Sequence, residues 1–394
     1  MLRKYSLTLL TLFFTVFSTL ADDHNFQVHG FIAQGIINVN GSDFVNDDEE
    51  LSTELTELGL NSSYRINNNI RLAGQAVYLD GGNRYTDGAR IDYLLVDWSA
   101  YSSSDWLVNF YLGRFKNYHW LYSSTRDVPF TRPTIVLPQT IYFDGFRDIA
   151  VGGDGLNIKV THNSDDFGDF DFNISRGTSK ISKDQTALIL SEFATGDMDH
   201  DYDLQASLYW RPLFSPWRFG VALLDSEFSY DKGSMDAFDH ARIVLQRYFV
   251  NALFEGENWE FSGELLQERF VMDGFYFSGF HRDTIGQGYF VQGKYKINSD
   301  LDFLLRYERF YGNKEDKNGK KFSQSTQGTI PNYFGYMNDI TVGVSYDLAE
   351  RLRVQLEYHQ VKGTARLTPV VLPNVLLNDR EKWHMWAVQL MYWF

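Results

Sequence analysis

Cysteine is absent from the 394-residue chain. That excludes a disulfide framework, thiolate catalysis and cysteine-based metal sites. Long hydrophobic runs are absent too: beyond Leu20 no stretch approaches the ~18 consecutive apolar residues that mark a transmembrane helix. Positive charge is scarce, with 36 Lys and Arg against 51 Asp and Glu and a formal net charge of −15. This balance argues against nucleic acid as a partner. No Gly-x-Ser-x-Gly elbow and no His-Glu-x-x-His motif occurs. The 9 histidines are scattered, so no Ser–His–acid set is assembled from them. No fixed-period repeat points to a solenoid or propeller.

Aromatic residues, by contrast, make up 16 % of the chain, with 24 Tyr and 32 Phe. That excess suits a membrane barrel, which carries aromatic girdles at both lipid–water boundaries. The N-terminus reads as a secretory signal over residues 1–21. Arg3 and Lys4 are its positive region, Leu7 to Phe17 its apolar core, and Thr19-Leu20-Ala21 its small-x-small cleavage site, giving Asp22 as the mature start. Its apolar run falls short of the ~20 residues of a spanning helix. Losing Arg3 and Lys4, with no acid before Asp22, takes the net charge from −15 to −17.

After Ala21 the chain alternates apolar and polar residues over segments of about ten, with long polar loops and very short turns taking turns between them. This is the pattern of a bacterial transmembrane barrel with long outer loops and short periplasmic turns. The clearest segments lie late in the chain. Ile340, Val342, Val344, Tyr346 and Leu348 oppose Thr341, Gly343, Ser345 and Asp347; successive strand side chains point to opposite faces. The next segment sets Leu352, Val354, Leu356 and Tyr358 against Arg353, Gln355, Glu357 and His359. The fold class is therefore all-β: one domain, 22–394, forming a transmembrane antiparallel barrel of about sixteen strands. An even count closes such a barrel with both ends in the periplasm, and a barrel of that size leaves an aqueous channel. Only Asp22 to Asn25 precede the first strand at Phe26, so no N-terminal plug is expected.

One stretch breaks the pattern. From Gly113 to Val151 alternation is poor, and Pro129, Pro133 and Pro138, three of the chain's 8 prolines, sit among aromatics and arginines. A connection of this length is usually functional. It is read as a third outer loop, 116–150, that folds into the lumen and constricts the pore. Charge rings set ion preference in pores, so the constriction candidates are Lys116, Arg126, Asp127, Arg132, Asp144, Arg147 and Asp148. Strand parity nominates Arg71, Asp97, Lys159, Arg218, Arg306, Glu308, Arg353 and Glu357 as lumen-facing, a parity that one β-bulge reverses. Two readings stay open for the loop. Arg126 and Asp127 either touch solute or pin the loop to the wall, since a guanidinium pairs bidentately with carboxylates. Tyr118, Trp120, Tyr122, Phe130, Tyr142 and Phe143 form either a sugar-stacking slide or a small core inside the loop.

Two further clusters are read as loops. Asp197, Asp199, His200, Asp201 and Asp203 are read as an acidic cluster at the end of an expected fourth outer loop, 177–201. Oxygen-rich loops bind calcium, but the spacing lacks the glycine and final Glu of an EF-hand, so no metal site is assigned. The bland reading is a solvated loop bridging lipopolysaccharide through divalent ions. Lys314, Lys317, Lys320 and Lys321 make a basic patch on a hydrated seventh loop.

The chain ends in Phe394, preceded at alternate positions by Tyr392, Leu390 and Val388. This resembles the C-terminal signal of Gram-negative outer-membrane barrels, and implies recognition of the last strand by the barrel-insertion machinery. His29-Gly30-Phe31-Ile32-Ala33-Gln34-Gly35 resembles the opening strand of the Gram-negative outer-membrane porin-like family of sixteen-stranded β-barrel porins. Thr125 to Pro133, with Leu137-Pro138-Gln139 and Ile141-Tyr142, resembles that family's third outer loop. The resemblance covers the plan of the mature chain, with these two blocks as its motifs. It implies a channel in the bacterial outer membrane, and brings no known substrate. The expected function is passive diffusion of small hydrophilic solutes or ions, with no enzyme activity and no cofactor. Alternatives are a substrate-specific anion or sugar channel, or a non-channel barrel acting as adhesin, phage receptor or outer-membrane hydrolase. Expected partners are outer-membrane lipid and lipopolysaccharide, the insertion machinery and small solutes. Barrels of this size are often trimers, but no residue pattern fixes the oligomer. The ion preference is open: the net charge points to cations, the loop arginines to anions.

Overall fold

The computed structural model describes residues 25–150, 152–236 and 238–394, without the side chains of Asp148 and Ala150. The signal segment 1–21 and the Asp148 side chain lie outside the described residues. Sixteen long strands follow in order: β1 (Phe26–Asn40), β2 (Thr56–Arg65), β3 (Ile70–Asp80), β4 (Gly88–Ser102), β5 (Trp106–Lys116), β6 (Gly152–Ser164), β7 (Gly168–Thr178) and β8 (Asp197–Arg211). Then come β9 (Trp217–Asp231), β10 (Ala241–Glu255), β11 (Trp259–Asp273), β12 (His281–Lys296), β13 (Leu301–Tyr311), β14 (Tyr336–Ala349), β15 (Leu352–Gly363) and β16 (Lys382–Trp393). Each pairs antiparallel with its sequence neighbours. β16 returns to β1, from Phe31↔Trp393 to Asn40↔His384, and closes the barrel. The two-residue strand Leu51–Ser52 lays the first outer loop against β1.

Period-2 alternation explains why these segments are strands. Ile340, Val342, Val344, Tyr346 and Leu348 all face outward and are exposed, while Thr341 between them is fully buried. Leucine, valine and isoleucine continue this outward belt around the barrel, and indole rings mark its periplasmic edge. There Trp98 stacks on Phe110 at 5.4 Å and Trp259 meets Tyr295 at 4.5 Å. An exposed apolar belt with aromatic borders is stable only in lipid, and it places this barrel in a bacterial outer membrane.

Some strands run longer than the sequence pattern predicts. A tilted strand needs ~9–11 residues to cross the bilayer, yet β8, β9, β10 and β11 each have 15. The excess projects outward past the lipid. This corrects the acidic cluster, which was expected in a loop: Asp197 to Asp203 belongs to β8. Asp197, Asp199 and Asp201 are exposed on one face, while Met198, His200 and Asp203 are buried on the other. Asp203 lies on the face opposite the other three carboxylates, which are strung out two residues apart along the strand, and among the described residues no such cluster is placed to hold an ion. The outward face carries charge because it stands in water, and that hid the strand. β12 likewise starts at His281, earlier than the Gly288 suggested by alternation alone.

The inner half of the story is the filling of the barrel. The third outer loop turns inward, and its apolar residues join two cores inside the wall. Ile135 and Val136 pack with Ile37, Val39, Met385 and Ala387 of β1 and β16. Trp120, Leu137, Ile141, Tyr142 and Phe146 pack with Phe249, Leu266 and Phe290, with Ile189 and Leu190 of a helix in the fourth loop (α1, Lys183–Leu190), and with Val371 of the eighth.

Candidate functional site

Proline explains how the third loop folds without strands. Pro129 opens a short 3-10 turn, Pro129–Thr131, where its fixed φ suits the first turn and its missing N–H costs nothing. Ile141 and Tyr142 donate to the carbonyl of Pro138, making a second turn. A third turn, Asp144–Phe146, leads into a four-residue helix, Arg147–Ala150. The result is a compact ribbon with few internal ladder bonds, so its backbone groups need partners elsewhere.

The wall supplies those partners as carboxylates. Glu357 of β15 accepts from the backbone N–H groups of Ile135 and Val136, both at 2.9 Å. Glu308 of β13 accepts from Thr140 N–H at 2.8 Å. Glu264 of β11 accepts from Leu121 N–H at 3.1 Å and from the Tyr142 hydroxyl. Arg306 donates to Thr134 Oγ1 at 2.8 Å and to the Val136 carbonyl at 3.1 Å. Arg132 in the loop donates to both oxygens of Glu57 on β2, each at 2.9 Å. A buried charge is tolerated only when paired and hydrogen-bonded; loop and wall supply each other's main partners, although the Nε groups of Arg132 and Arg306 make no hydrogen bond.

The candidate residues separate into two groups. Arg132 pins the loop to the wall, while Arg126 and Asp144 brace the loop from within. Arg126 donates to Asp144 at 2.7 Å, and Arg132 to the Arg126 carbonyl at 3.1 Å as well as to Glu57. Lys116, Asp127 and Arg147 form a second cluster, in which Lys116 bridges Asp92 of β4 and Asp127. Arg147 donates to Asp127 at 2.6 Å and lies 4.4 Å from the centre of the Tyr85 ring. Burial alone would raise the Asp127 carboxyl, but Lys116 and Arg147 outweigh it and hold it well below the usual range. These three residues line the floor of an outer cavity of about 440 Å³, together with Arg90, Asp92 and Lys180. The cavity exists because β4 and β5 part: their pairing begins only at Leu94↔Arg114. Gly113 sits at this point with φ +117°, and a Cβ there would lie 2.5 Å from the Leu94 carbonyl oxygen.

Beneath that cluster, toward the periplasm, the wall from β3 to β7 carries water-exposed charge. Arg71 is half exposed and pairs with Asp97 at 2.8 Å. Lys159 is 3.4 Å from Asp171 and lies 5.7 Å from the ring centre of Tyr118, itself 41 % exposed. Arg218 stacks on Tyr209 at 5.4 Å. Arg353 pairs with Asp347 at 2.6 Å and reaches the Phe130 carbonyl. Of the predicted lumen-facing set, Arg306, Glu308 and Glu357 meet the loop, whereas Arg71, Asp97 and Lys159 meet water or each other. The loop aromatics divide similarly. Trp120 stacks on Phe249 at 4.7 Å and Phe130 on Trp393 at 4.9 Å, so both are packing groups, and Tyr118 alone of the six is exposed.

Sequence reasoning missed Asp92, Glu57 and Glu264. Glu57 and Glu264 lie on the inward parity of β2 and β11, a signal that alternation carried. Asp92 was hidden, because a bulge between Gln75 and Ala76 in the β3–β4 register leaves it without a cross-strand partner.

No known protein family matches the chain, and no curated protein matches it. Solved structures do. OprB of Pseudomonas putida is similar at TM-score 0.60 and 10 % identity, over 95 % of this chain and 96 % of that one. OmpF of Salmonella typhi, solved with daunomycin, is similar at TM-score 0.58 and 12 % identity, over 95 % and 99 %. An anion-selective porin from Comamonas acidovorans is similar at TM-score 0.55 and 13 % identity, over 94 % and 99 %. At these identities the likeness is one of fold: the chain has the closed sixteen-strand architecture of outer-membrane porins.

Proposed function

We propose that this barrel is a passive diffusion channel for small hydrophilic solutes and ions, performing no covalent chemistry, with a conduction path along the β3–β7 wall. One observation carries this reading. Exposed charge occurs above and below the third loop on that wall, at the outer cavity and at Arg71, Lys159 and Asp171, while the loop's carboxylate anchors Glu264, Glu308 and Glu357 stand on the opposite wall. The constriction between them is Lys116, Asp127 and Arg147 with Asp92; Asp148 belongs to the same candidate set. Selection follows from width and from the field between these cations and carboxylates, which act in a poorly hydrated passage. The four groups are nearly free of water here, so passage requires the Lys116 and Arg147 side chains to swing aside. Long, flexible cationic side chains make such motion local. Outer-membrane lipid and lipopolysaccharide, the insertion machinery at the last strand and a homotrimer are the partners the resemblance implies.

Single-channel recording of the refolded protein in a planar bilayer under a salt gradient tests this. The expected result is stable open steps with a reversal potential that Lys159→Glu moves toward cation preference. A folded barrel that stays silent, or a potential that Lys159→Glu leaves unchanged, would overturn the path and return the adhesin, phage-receptor and hydrolase readings.

A further inference from the structure

A second cavity lies at the outer mouth, on the side opposite the proposed path. It measures about 620 Å³ and sits between the sixth, seventh and eighth outer loops, with Phe146 of the third loop in its lining. Pockets of this size hold one small molecule. Its wall is unlike the rest of the vestibule. Phe270, Phe280, Phe310, Phe322 and Phe334 line it, with Leu367 and Val370 beside them. Two guanidinium groups enter this apolar surface. Arg366 is already engaged: it donates to Glu268 and to the Thr140 carbonyl, and its carbon lies 3.6 Å from the Phe310 ring centre. Arg282 is not. It lies 5.1 Å from the Phe322 ring centre, and among the described residues it meets no carboxylate. Asp316, also in the lining, is occupied by the Phe322 N–H at 2.8 Å.

A cation held on an aromatic face without an anion, in a mostly apolar pocket, is an incomplete recognition site. Arginine's fork matches a carboxylate bidentately. The phenyl rings around it reward an apolar body and give nothing to a polyol. We infer that this cavity binds a small organic monocarboxylate with an aryl or short alkyl body, its carboxylate on Arg282 and its body among Phe270, Phe280 and Phe322. The site concentrates such anions at the mouth, and does not depend on where conduction runs.

Calorimetric titration of the refolded barrel with benzoate, and separately with benzyl alcohol, tests this. Benzoate is expected to bind and benzyl alcohol to bind about tenfold more weakly or worse, the usual range for a charge-assisted hydrogen bond. Arg282→Gln should abolish that preference, and Arg282→Lys should keep part of it, since the charge remains but the fork is lost. Arg282 has no structural ion partner, so both variants should refold, as circular dichroism reports. Absent benzoate binding, equal binding of the alcohol, or unchanged affinity in a folded Arg282→Gln would overturn the inference.

Discussion

The third and seventh outer loops are both long connections between neighbouring strands, and they do opposite things. The third, residues 117–150, is buried almost throughout where its side chains are described; the seventh, residues 312–335, stands largely in water, and its helix (α2, Lys320–Ser325) buries no residue at all. Composition decides which way each goes. The third loop holds Ile135, Val136, Leu137 and Ile141 in a run with aromatics, and three prolines reduce the entropy lost on ordering it. The seventh holds Lys314, Lys317, Lys320 and Lys321 among Ser, Thr, Asn and Gln, and has too little apolar surface to repay burial. The wall then completes the distinction. It offers Glu57, Glu264, Glu308 and Glu357 where the third loop needs acceptors, and among the described residues no equivalent set of wall carboxylates bonds to the seventh.

The strongest way to break this comparison is excision. Deleting Tyr118 to Phe143 should raise single-channel conductance several-fold, while deleting 320–330 should leave it unchanged. Equal, small effects from both deletions would remove the third loop from the conduction path. A milder test removes one anchor. Arg132→Ala strands the Glu57 carboxylate, and breaking a buried pair from one side costs about 3–5 kcal/mol, read as a lower urea midpoint. Lys320→Ala on the seventh loop should stay within about 0.5 kcal/mol. Combining Arg132→Ala with Glu57→Leu should recover much of the loss, because no charge is left unpaired; a double variant as weak as the single one would show that the pair itself is not the anchor.

The smallest expected effect is on pH. Burial lowers the His119 imidazole from its usual 6.5 to about 3, where its Nε2 lies 3.1 Å from Ser175 Oγ. The docked loop therefore resists the proton that an undocked loop takes up. Docking weakens as pH falls from 6.5 toward 3, and Asp127, held below the usual carboxylate range, adds to the loss at the acid end. Channel flicker should increase on acidification through that window, and His119→Asn should remove its upper limb while sparing the lower. Flicker independent of pH in the parent protein would exclude the coupling. The seventh loop contains no histidine, so its protease sensitivity should not follow the upper limb of that window.

Much of the architecture was legible in the residues. Alternation gave the sixteen strands because each faces two different solvents, lipid and interior, and this imposes a period of two directly on composition. It failed where that contrast failed. The outer ends of β8 and β12 stand in water, so Asp197, Asp199 and Asp201 read as loop. Inward parity likewise pointed to Arg306, Glu308 and Glu357, but not to what they hold.

The sequence by itself determined the barrel, its orientation of faces and the identity of the unusual loop, since these depend on patterns within one strand or one short segment. Only the tertiary structure decided which loop charges are pins and which flank a passage. Arg132 and Arg147 are equivalent in sequence; one meets Glu57 across the lumen and the other lies beside an open cavity. That difference depends on residues from distant strands, on the bulge that frees Asp92 and on the parting of β4 from β5. A charge's role is set by what surrounds it, and its surroundings are assembled only when the barrel closes.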